Sequence, residues 1–194
     1  MRSIYVIAGF IDVFLFPIVH SVAQGEANSL DNKIVIVVHM QNAYSKNELS
    51  EKSTSDEIAE INQIITDVDP ENVVYLKAMH KVLNLTLKKI YVEEIVKDLD
   101  GRLKIVNENN FIDHGGDIFT SKELIKFLKD KNINQIVIVG RVANECIKTS
   151  TLSGLKIGYD MYLVSDAIVG KSEKCKQKSI RKLVSKGAKE LTIN

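Results

Sequence analysis

Two blocks of apolar residues stand out in the second half of the chain, at Ile136–Val139, which is rich in β-branched side chains, and at Met161–Val164. Continuous apolar runs of this kind are typical of strands buried on both faces of a sheet. The segment between them contains Asn144, a residue type favoured at helix N-caps, and stops before Gly158, which favours helix termination. The pattern therefore predicts a strand, a helix over residues 144–157 and a second, parallel strand.

The same two patterns predict the other elements. Apolar runs indicate strands, and apolar positions at helical spacing indicate helices. The predicted strands are Lys33–Val38, Val73–Met79 and Leu103–Val106, and the predicted helices are Ser55–Val68, Val82–Asp98 and Thr120–Lys131. We therefore predict an α/β fold, a doubly wound three-layer α/β/α sandwich with a mostly parallel sheet of about five or six strands.

Residues 1–23 have the pattern of a secretory signal peptide. Arg2 provides a positive start, a mostly apolar run follows, and small residues precede an expected cleavage after Ala23. We expect a polar linker over 24–32 and a single domain over 33–194, in a secreted or periplasmic protein without a stable membrane anchor. A retained anchor is the alternative, but an aspartate and a proline interrupt the apolar run and shorten it.

Composition narrows the choice of partners. The 194 residues are 45% hydrophobic and 26% charged, which is ordinary for a globular domain. The net charge of +1 argues against nucleic acid as a partner, and the lysines of 171–189 are spaced as on a solvated helix face. The two cysteines, Cys146 and Cys175, are too few for a disulfide framework, and we expect both to be free thiols.

Cys146 is the first candidate for chemistry. The predicted elements place it in the first turn of a helix, just past the carboxyl end of a strand, which is the edge where open α/β sheets bind ligands. Unpaired N–H groups at a helix N-terminus favour the thiolate form of a cysteine. The alternative is a small buried residue, which free cysteine often is, and position alone leaves both interpretations open.

The segment Gly140–Ile147, with the sequence GRVANECI, resembles the nucleophile segment of the isochorismatase-like cysteine hydrolases. These include nicotinamidases, N-carbamoylsarcosine amidases and isochorismatases. In that family a glycine ends the strand and the catalytic cysteine follows six residues later, as Cys146 follows Gly140. The similarity continues through 158–159, 165–167 and the tail 182–192, so that it covers roughly residue 33 to the C-terminus. The resemblance implies a hydrolase of small amides, imides or related C–N compounds, without a cofactor, that forms homo-oligomers.

The resemblance also implies catalytic partners for Cys146. In the family an aspartate in the motif Asp-x-Gln-Asn takes the proton from the cysteine, and a lysine supplies positive charge nearby. At the position of the aspartate this chain has His39, which is followed by the expected Gln41 and Asn42. Counting back from a loop phenylalanine places Asn107 at the position of the lysine. The expected site therefore consists of Cys146, His39 and Asn107.

Further residues are assigned to the pocket by the same resemblance. Family members hold the oxyanion with backbone N–H groups next to an unusual cis peptide bond, which corresponds here to Arg141–Val142 and extends the expected oxyanion site to Ala143. Gln41 and His80 are expected to line the substrate pocket. Nicotinamidases bind a metal near this histidine, but the residues after His80 offer no carboxylate or second histidine at usable spacing, so we predict no metal.

These departures leave two functions open. In the first, His39 accepts the thiol proton, its imidazolium replaces the lysine charge, and Asn107 donates a hydrogen bond to the oxyanion. In the second, the chain is a catalytically inactive pseudoenzyme that acts as a ligand-binding or assembly module. A thiol redox protein is a third possibility that no CxxC motif supports. Asp113 and His114 lie in the same loop as Asn107, and no spacing argument decides whether they contribute.

Overall fold

The computed structural model describes residues 29–42, 51–87 and 89–193. The signal peptide predicted for residues 1–23 lies outside this part of the chain. None of the helices within it is long and apolar enough to span a membrane.

A seven-stranded sheet forms the centre of the molecule. Its strands are β1 (Ile34–Val38), β2 (Val73–Leu85), β3 (Ile90–Val96), β4 (Asn110–Asp113), β5 (Gln135–Arg141), β6 (Asp160–Val169) and β7 (Lys189–Glu190). The strand order is β3-β2-β1-β5-β6-β7, and β4 pairs with β2. Every pairing is parallel except that between β2 and β3, so the predicted mostly parallel sheet is confirmed.

Four helices of the described residues cover the two faces of this sheet: α1 (Glu51–Thr66), α2 (Lys122–Lys131), α3 (Cys146–Lys156) and α4 (Glu173–Val184). Helix α1 packs on one face, where its isoleucines meet Val35 and Val37 of β1. The other three helices pack on the opposite face, against Ile34, Ile36 and Val38. Alternate residues of β1 thus enter two separate cores, which explains why the strand is apolar throughout. This is the predicted three-layer α/β/α sandwich.

The prediction of a helix over Val82–Asp98 is wrong. Strand β2 continues to Leu85 and returns as β3, so these residues form an antiparallel hairpin. At its turn, the Thr86 N–H donates to the Lys89 carbonyl over 3.0 Å, and the Lys89 N–H donates to the Thr86 hydroxyl over 3.0 Å. Apolar residues alternate at positions 83, 85 and 87, which is the two-residue period of a strand. The structure follows this period and not the helical spacing on which the prediction relied.

The strand predicted at Leu103–Val106 is also wrong. This segment is a loop that the Tyr75 hydroxyl anchors, because it donates to the Lys104 carbonyl over 2.9 Å and accepts from the Val106 N–H over 3.1 Å. The strand comes later, as β4, next to β2. Together with β3 and β7, this gives seven strands where about five or six were expected.

Candidate active site

Three segments that follow strands converge at the carboxyl edge of the sheet. His39 comes directly after β1, Asp113 is the last residue of β4, and Cys146 opens α3 a short turn after β5. All three side chains line one cavity of about 350 Å³, which also contacts Ala78 and Gly116. This volume lies at the lower end of the range for small-molecule pockets, so the cavity fits a small ligand.

His39 is almost completely enclosed. Only 1% of the residue is exposed, and its backbone has a positive φ of 55°, a conformation that non-glycine residues rarely adopt. The ring atom Nε2 forms a short contact with Oδ2 of the fully buried Asp113. His39 also has a side-chain hydrogen bond with Cys146. The imidazole therefore lies between a carboxylate and a thiol.

This environment changes the protonation of His39. Burial lowers the pKa of the ring, because it disfavours the charged form. The hydrogen bonds to Asp113 and Cys146, together with the negative charge of these two groups, outweigh burial and raise the pKa of His39 from 6.5 to about 9. At neutral pH the side chain is therefore an imidazolium that faces both a carboxylate and the cysteine sulfur.

Close backbone contacts hold Cys146 in place. Gly140 has a φ of +107°, and a Cβ atom there would lie 2.3 Å from the Val38 carbonyl oxygen, so only glycine allows β5 to approach the end of β1 this closely. A Cβ atom on Gly116 would lie 3.1 Å from the Cys146 sulfur. As the first residue of α3, Cys146 also has a backbone N–H without a partner in the helix, which is suited to an oxyanion.

The structure does not bring Asn107 to this cavity, so its predicted role is wrong. Its side-chain amide donates to the carbonyls of Pro70 and Val73, the latter over 2.8 Å, and its Oδ1 accepts from the Asn109 N–H over 2.7 Å. Val73 begins β2, so Asn107 lies at the amino edge of the sheet, opposite the edge that holds Cys146. Asn107 shapes a turn before β4 and has no spare donor for a substrate.

Gln41 also has a structural role instead of the predicted pocket role. Its Nε2 donates to the carbonyls of Ala78, over 3.3 Å, and Lys97, over 2.7 Å. Its Oε1 accepts from the Ala78 N–H over 2.8 Å. The whole amide is therefore used to join the end of β1 to β2 and to the segment after β3, and Gln41 does not line the cavity.

The peptide bond between Arg141 and Val142 is cis, as predicted. The side chain of Arg141, however, points away from the cavity and pairs with the fully buried Glu57 over 2.9 Å. Burial raises the pKa of Glu57 to about 7, although the charge of Arg141 opposes this shift. The Ala143 N–H donates to the Val169 carbonyl over 2.8 Å and is not available to an oxyanion. Neither Arg141, Val142 nor Ala143 lines the cavity.

His80 does line the cavity, next to Met79. Within residues 29–42, 51–87 and 89–193, no three histidine, cysteine, aspartate or glutamate side chains converge as a metal site would require. Cys146 and Cys175 are both free thiols. At the mouth of the cavity Glu145 forms an ion pair with Lys171 over 2.6 Å, and both side chains are about half exposed.

Asp113 is the main site residue whose participation the sequence did not decide. It ends a four-residue strand, NFID, whose pattern is too short and too polar to be recognised. The only signal was a carboxylate near the loop glycines Gly115 and Gly116, and that signal applied equally to Asp117. Its partnership with His39 depends on β1 and β4 lying on either side of β2, which only the folded sheet reveals.

The fold and the site define an α/β protein with a cysteine at the carboxyl edge of a parallel sheet and a buried histidine–carboxylate pair beside it. The chain belongs to the isochorismatase family, because residues 33–194 match the family model for the isochorismatase domain. Members of this family include hydrolases such as nicotinamidases.

Individual relatives agree with this assignment. The chain is 26% identical to YrdC of Bacillus subtilis, an uncharacterised isochorismatase family protein, over 143 residues that cover 71% of this chain and 73% of that protein. A nicotinamidase from Staphylococcus aureus has a similar fold, with a TM-score of 0.65 and 16% identity, covering 84% of this chain and 98% of that one. The YcaC gene product of Escherichia coli, described as an octameric hydrolase of unknown specificity, gives a TM-score of 0.61 with 15% identity, covering 83% and 76%.

Proposed function

We propose that this protein is a cysteine hydrolase of a small amide or related C–N compound, with Cys146 as the nucleophile and His39 and Asp113 as its partners. The observation that supports it is the imidazolium of His39, which lies between the Asp113 carboxylate and the Cys146 thiol in one cavity. The same residue types, in the same order of contact, activate cysteine in other hydrolases. Membership of a family that includes nicotinamidases supports the substrate class.

Asp113 binds Nε2 of His39, so we assign proton exchange with the reacting groups to Nδ1. The thiolate of Cys146 attacks the substrate carbon, and the electron pair of the C=O bond moves to the oxygen, where the Cys146 N–H can hold it. When this intermediate collapses, the C–N bond breaks and His39 gives its proton to the leaving nitrogen. The products of this step are a thioester, a neutral imidazole and ammonia or a free amine, which leaves the cavity.

Water then completes the reaction. Neutral His39 takes a proton from the attacking water, and the new tetrahedral intermediate expels the thiolate as the C–S bond breaks. The acid leaves, and the thiolate and imidazolium are restored without any external oxidant or reductant. Asp113 keeps the ring oriented throughout and stabilises its positive charge, which is why it acts as a positioning residue here.

An acylation burst tests this chemistry without knowledge of the natural substrate. We expect p-nitrophenyl acetate to release one burst equivalent of nitrophenol and to leave an acetyl group on Cys146, identified by peptide mass spectrometry. Cys146→Ala should abolish the burst, and His39→Gln should slow it roughly a hundredfold, as loss of an acid–base group does. Nicotinamide and other small primary amides would then be screened for ammonia release.

An unmodified Cys146, or an acetylation rate that His39→Gln leaves unchanged, would contradict the hydrolase proposal. Cys175 is the control, because it is an exposed free thiol in the same chain and should be modified equally in every variant. An inert Cys146 would favour the pseudoenzyme alternative, in which the cavity only binds a ligand.

We also propose that the protein is exported and loses residues 1–23 on export. A reporter enzyme fused after residue 32 should appear outside the cytoplasm of a secreting host, and its N-terminal sequence should begin at Gln24. Substituting Ala23 by a large residue should block the cleavage, whereas the same change at Asn28 should not. A fusion that stays inside the cell with Met1 attached would contradict this proposal.

A further inference from the structure

The side chain of Arg141 lies on one face of the sheet, although the chain that follows it continues to the other face. In β5, Val137 and Val139 pack on the side that helix α1 covers, and Arg141 lies two residues further along on the same side. Its guanidinium meets Glu57 of α1 there. Cys146 begins α3 on the opposite side. The residues between Arg141 and Cys146 therefore cross the carboxyl edge of the sheet.

This crossing segment, residues 141–146, is anchored at its middle and at its start. In the middle, the Ala143 N–H donates to the Val169 carbonyl of β6 over 2.8 Å, and the Ala143 carbonyl accepts from the Ser179 hydroxyl of α4 over 2.6 Å. At the start, the guanidinium of Arg141 pairs with Glu57 over 2.9 Å. Cys146 is placed by a segment that three neighbouring elements hold, and α1 is one of them.

The ion pair between Arg141 and Glu57 is almost completely enclosed. Arg141 is 1% exposed, and its Nε and Nη1 have no hydrogen-bond partner among the described residues. The charge of Arg141 also acts on Asp100, but the pKa of Asp100 is lowered mainly by its hydrogen bond with Arg102. Because a buried charge is costly without its counter-charge, the position of the guanidinium depends on the carboxylate of Glu57.

The charge of Glu57 depends on its burial and on its neighbours. Burial raises its pKa to about 7, and the charges of Arg141 on β5 and Lys176 on α4 oppose this shift. Other charged side chains line the cavity beside Glu57, where they are exposed and water screens them. They are Asp56, Asp166, Lys171 and Glu173. Glu57 therefore loses its negative charge as the pH falls through about 7.

We propose that Glu57 is a positioning residue of the active site, which holds the crossing segment through Arg141 and so places the sulfur and the N–H of Cys146. Glu57 itself does not contact the reacting groups, because it lies on the opposite face of the sheet from Cys146. This inference rests on the hydrolase function proposed above.

The proposal predicts which step suffers when Glu57 is protonated. Protonation relieves the cost of burying the carboxylate, but it also removes the counter-charge of Arg141, so the start of the crossing segment is held less firmly. Addition to a carbonyl then slows, because that step needs the Cys146 N–H to face the developing oxyanion.

Two reactions of Cys146 separate its position from its charge. Acetylation by p-nitrophenyl acetate needs the thiolate and an aligned N–H, whereas alkylation by iodoacetamide, in which the thiolate displaces iodide, needs only the thiolate. The ratio of the two rate constants, measured on the Cys146 peptide by mass spectrometry, therefore cancels the titration of the thiol. In the wild type this ratio should rise roughly tenfold from about pH 6 to about pH 8 as Glu57 ionises. In Glu57→Gln it should stay low at every pH.

Two further variants control for damage to the fold. Glu60→Gln changes the same residue type at an exposed position of α1 and should keep the wild-type ratio. The double variant Glu57→Gln with Arg141→Met removes both buried charges, so it leaves no unpaired charge in the core if Glu57→Gln alone does not fold. It should show the same low ratio without dependence on pH. Circular dichroism verifies that each protein is folded.

The outcomes distinguish this inference from the function on which it rests. A wild-type ratio that stays constant between about pH 6 and about pH 8, or a ratio at the wild-type level in either Glu57 variant, would overturn the positioning role and leave the hydrolase proposal intact. A wild-type Cys146 that is alkylated but never acetylated would overturn the hydrolase proposal, and the positioning role of Glu57 with it.

Discussion

Replacing Asp113 with asparagine should slow the alkylation of Cys146 by iodoacetamide at least about tenfold near neutral pH. The thiol of Cys175 should react at an unchanged rate in the same molecules, because it is exposed and remote from the cavity. The two rates can be followed together by mass spectrometry of the two cysteine peptides, so that each sample contains its own reference.

The reaction rate depends on the charge of His39, which two opposing effects on its pKa determine. Burial alone would lower its pKa, and the hydrogen bonds and charges of Asp113 and Cys146 reverse that effect. Without the Asp113 carboxylate the burial remains, and the ring becomes neutral near neutral pH. The thiolate then loses its neighbouring positive charge, and a neutral thiol is a poor nucleophile.

A cycle of variants distinguishes this explanation from general damage to the site. His39→Gln should slow alkylation as much as Asp113→Asn does, and the double variant should be no slower than either, because the two residues act as one unit. Fully additive losses, or an Asp113→Asn protein that alkylates at the wild-type rate, would contradict the assignment of Asp113 as the positioning residue.

The sequence predicted the fold well because its strongest signals are local. β1 is a continuous apolar run, and β5 and β6 each contain one, at Ile136–Val139 and Met161–Val164; all three runs are buried on both faces, so the pattern in the chain reports the environment directly. The hairpin was missed for the opposite reason. Its side chains at positions 82–87 and 89–92 are largely exposed, so no buried face marked the two-residue spacing of its apolar residues as that of a strand, and short apolar runs without a core are ambiguous between helix and strand.

The site was only partly predictable. Cys146 and His39 each follow a clear strand, so their place at the carboxyl edge was determined by neighbouring residues in the chain. The position of the third group, the Asp113 carboxylate, was not determined in this way, because it depends on which loop residue the sheet brings next to His39. The choice of Asn107 relied on a count of positions through a loop, and loop length is the least reliable measure in such a count. In the folded chain the residue next to His39 is Asp113, six positions after Asn107.

This outcome adds a carboxylate to the expected site. In the family that the chain resembles, a base and a positive charge come from two separate residues, whereas His39 was expected to supply both here. In the proposed mechanism His39 supplies both, since it is charged before the attack and neutral after it has protonated the leaving group. The carboxylate that makes this possible belongs to Asp113 and takes no proton itself. The site therefore needs a buried charge pair, and that pair makes the stability of the fold depend on pH.

Stability should fall as pH rises from about 6.5 to about 9. The pKa of His39 is about 9 in the folded protein, against 6.5 for the free side chain, so the folded state binds this proton more tightly. Its contribution to stability is complete below about pH 6.5 and is lost as pH rises through about 9. Over this range the free energy of unfolding should decrease by on the order of 3 kcal/mol.

Urea unfolding at several pH values measures this loss, and two variants identify its source. His39→Gln should remove the decrease between about pH 6.5 and 9, because the titrating group is gone. Glu57→Gln should not, although its own raised pKa of about 7 implies a separate contribution, complete below about pH 4.5 and lost through about pH 7. Parallel curves for the wild type and His39→Gln in the upper range would show that His39 is not held as an imidazolium, and the thiolate of Cys146 would then have no buried cation to stabilise it.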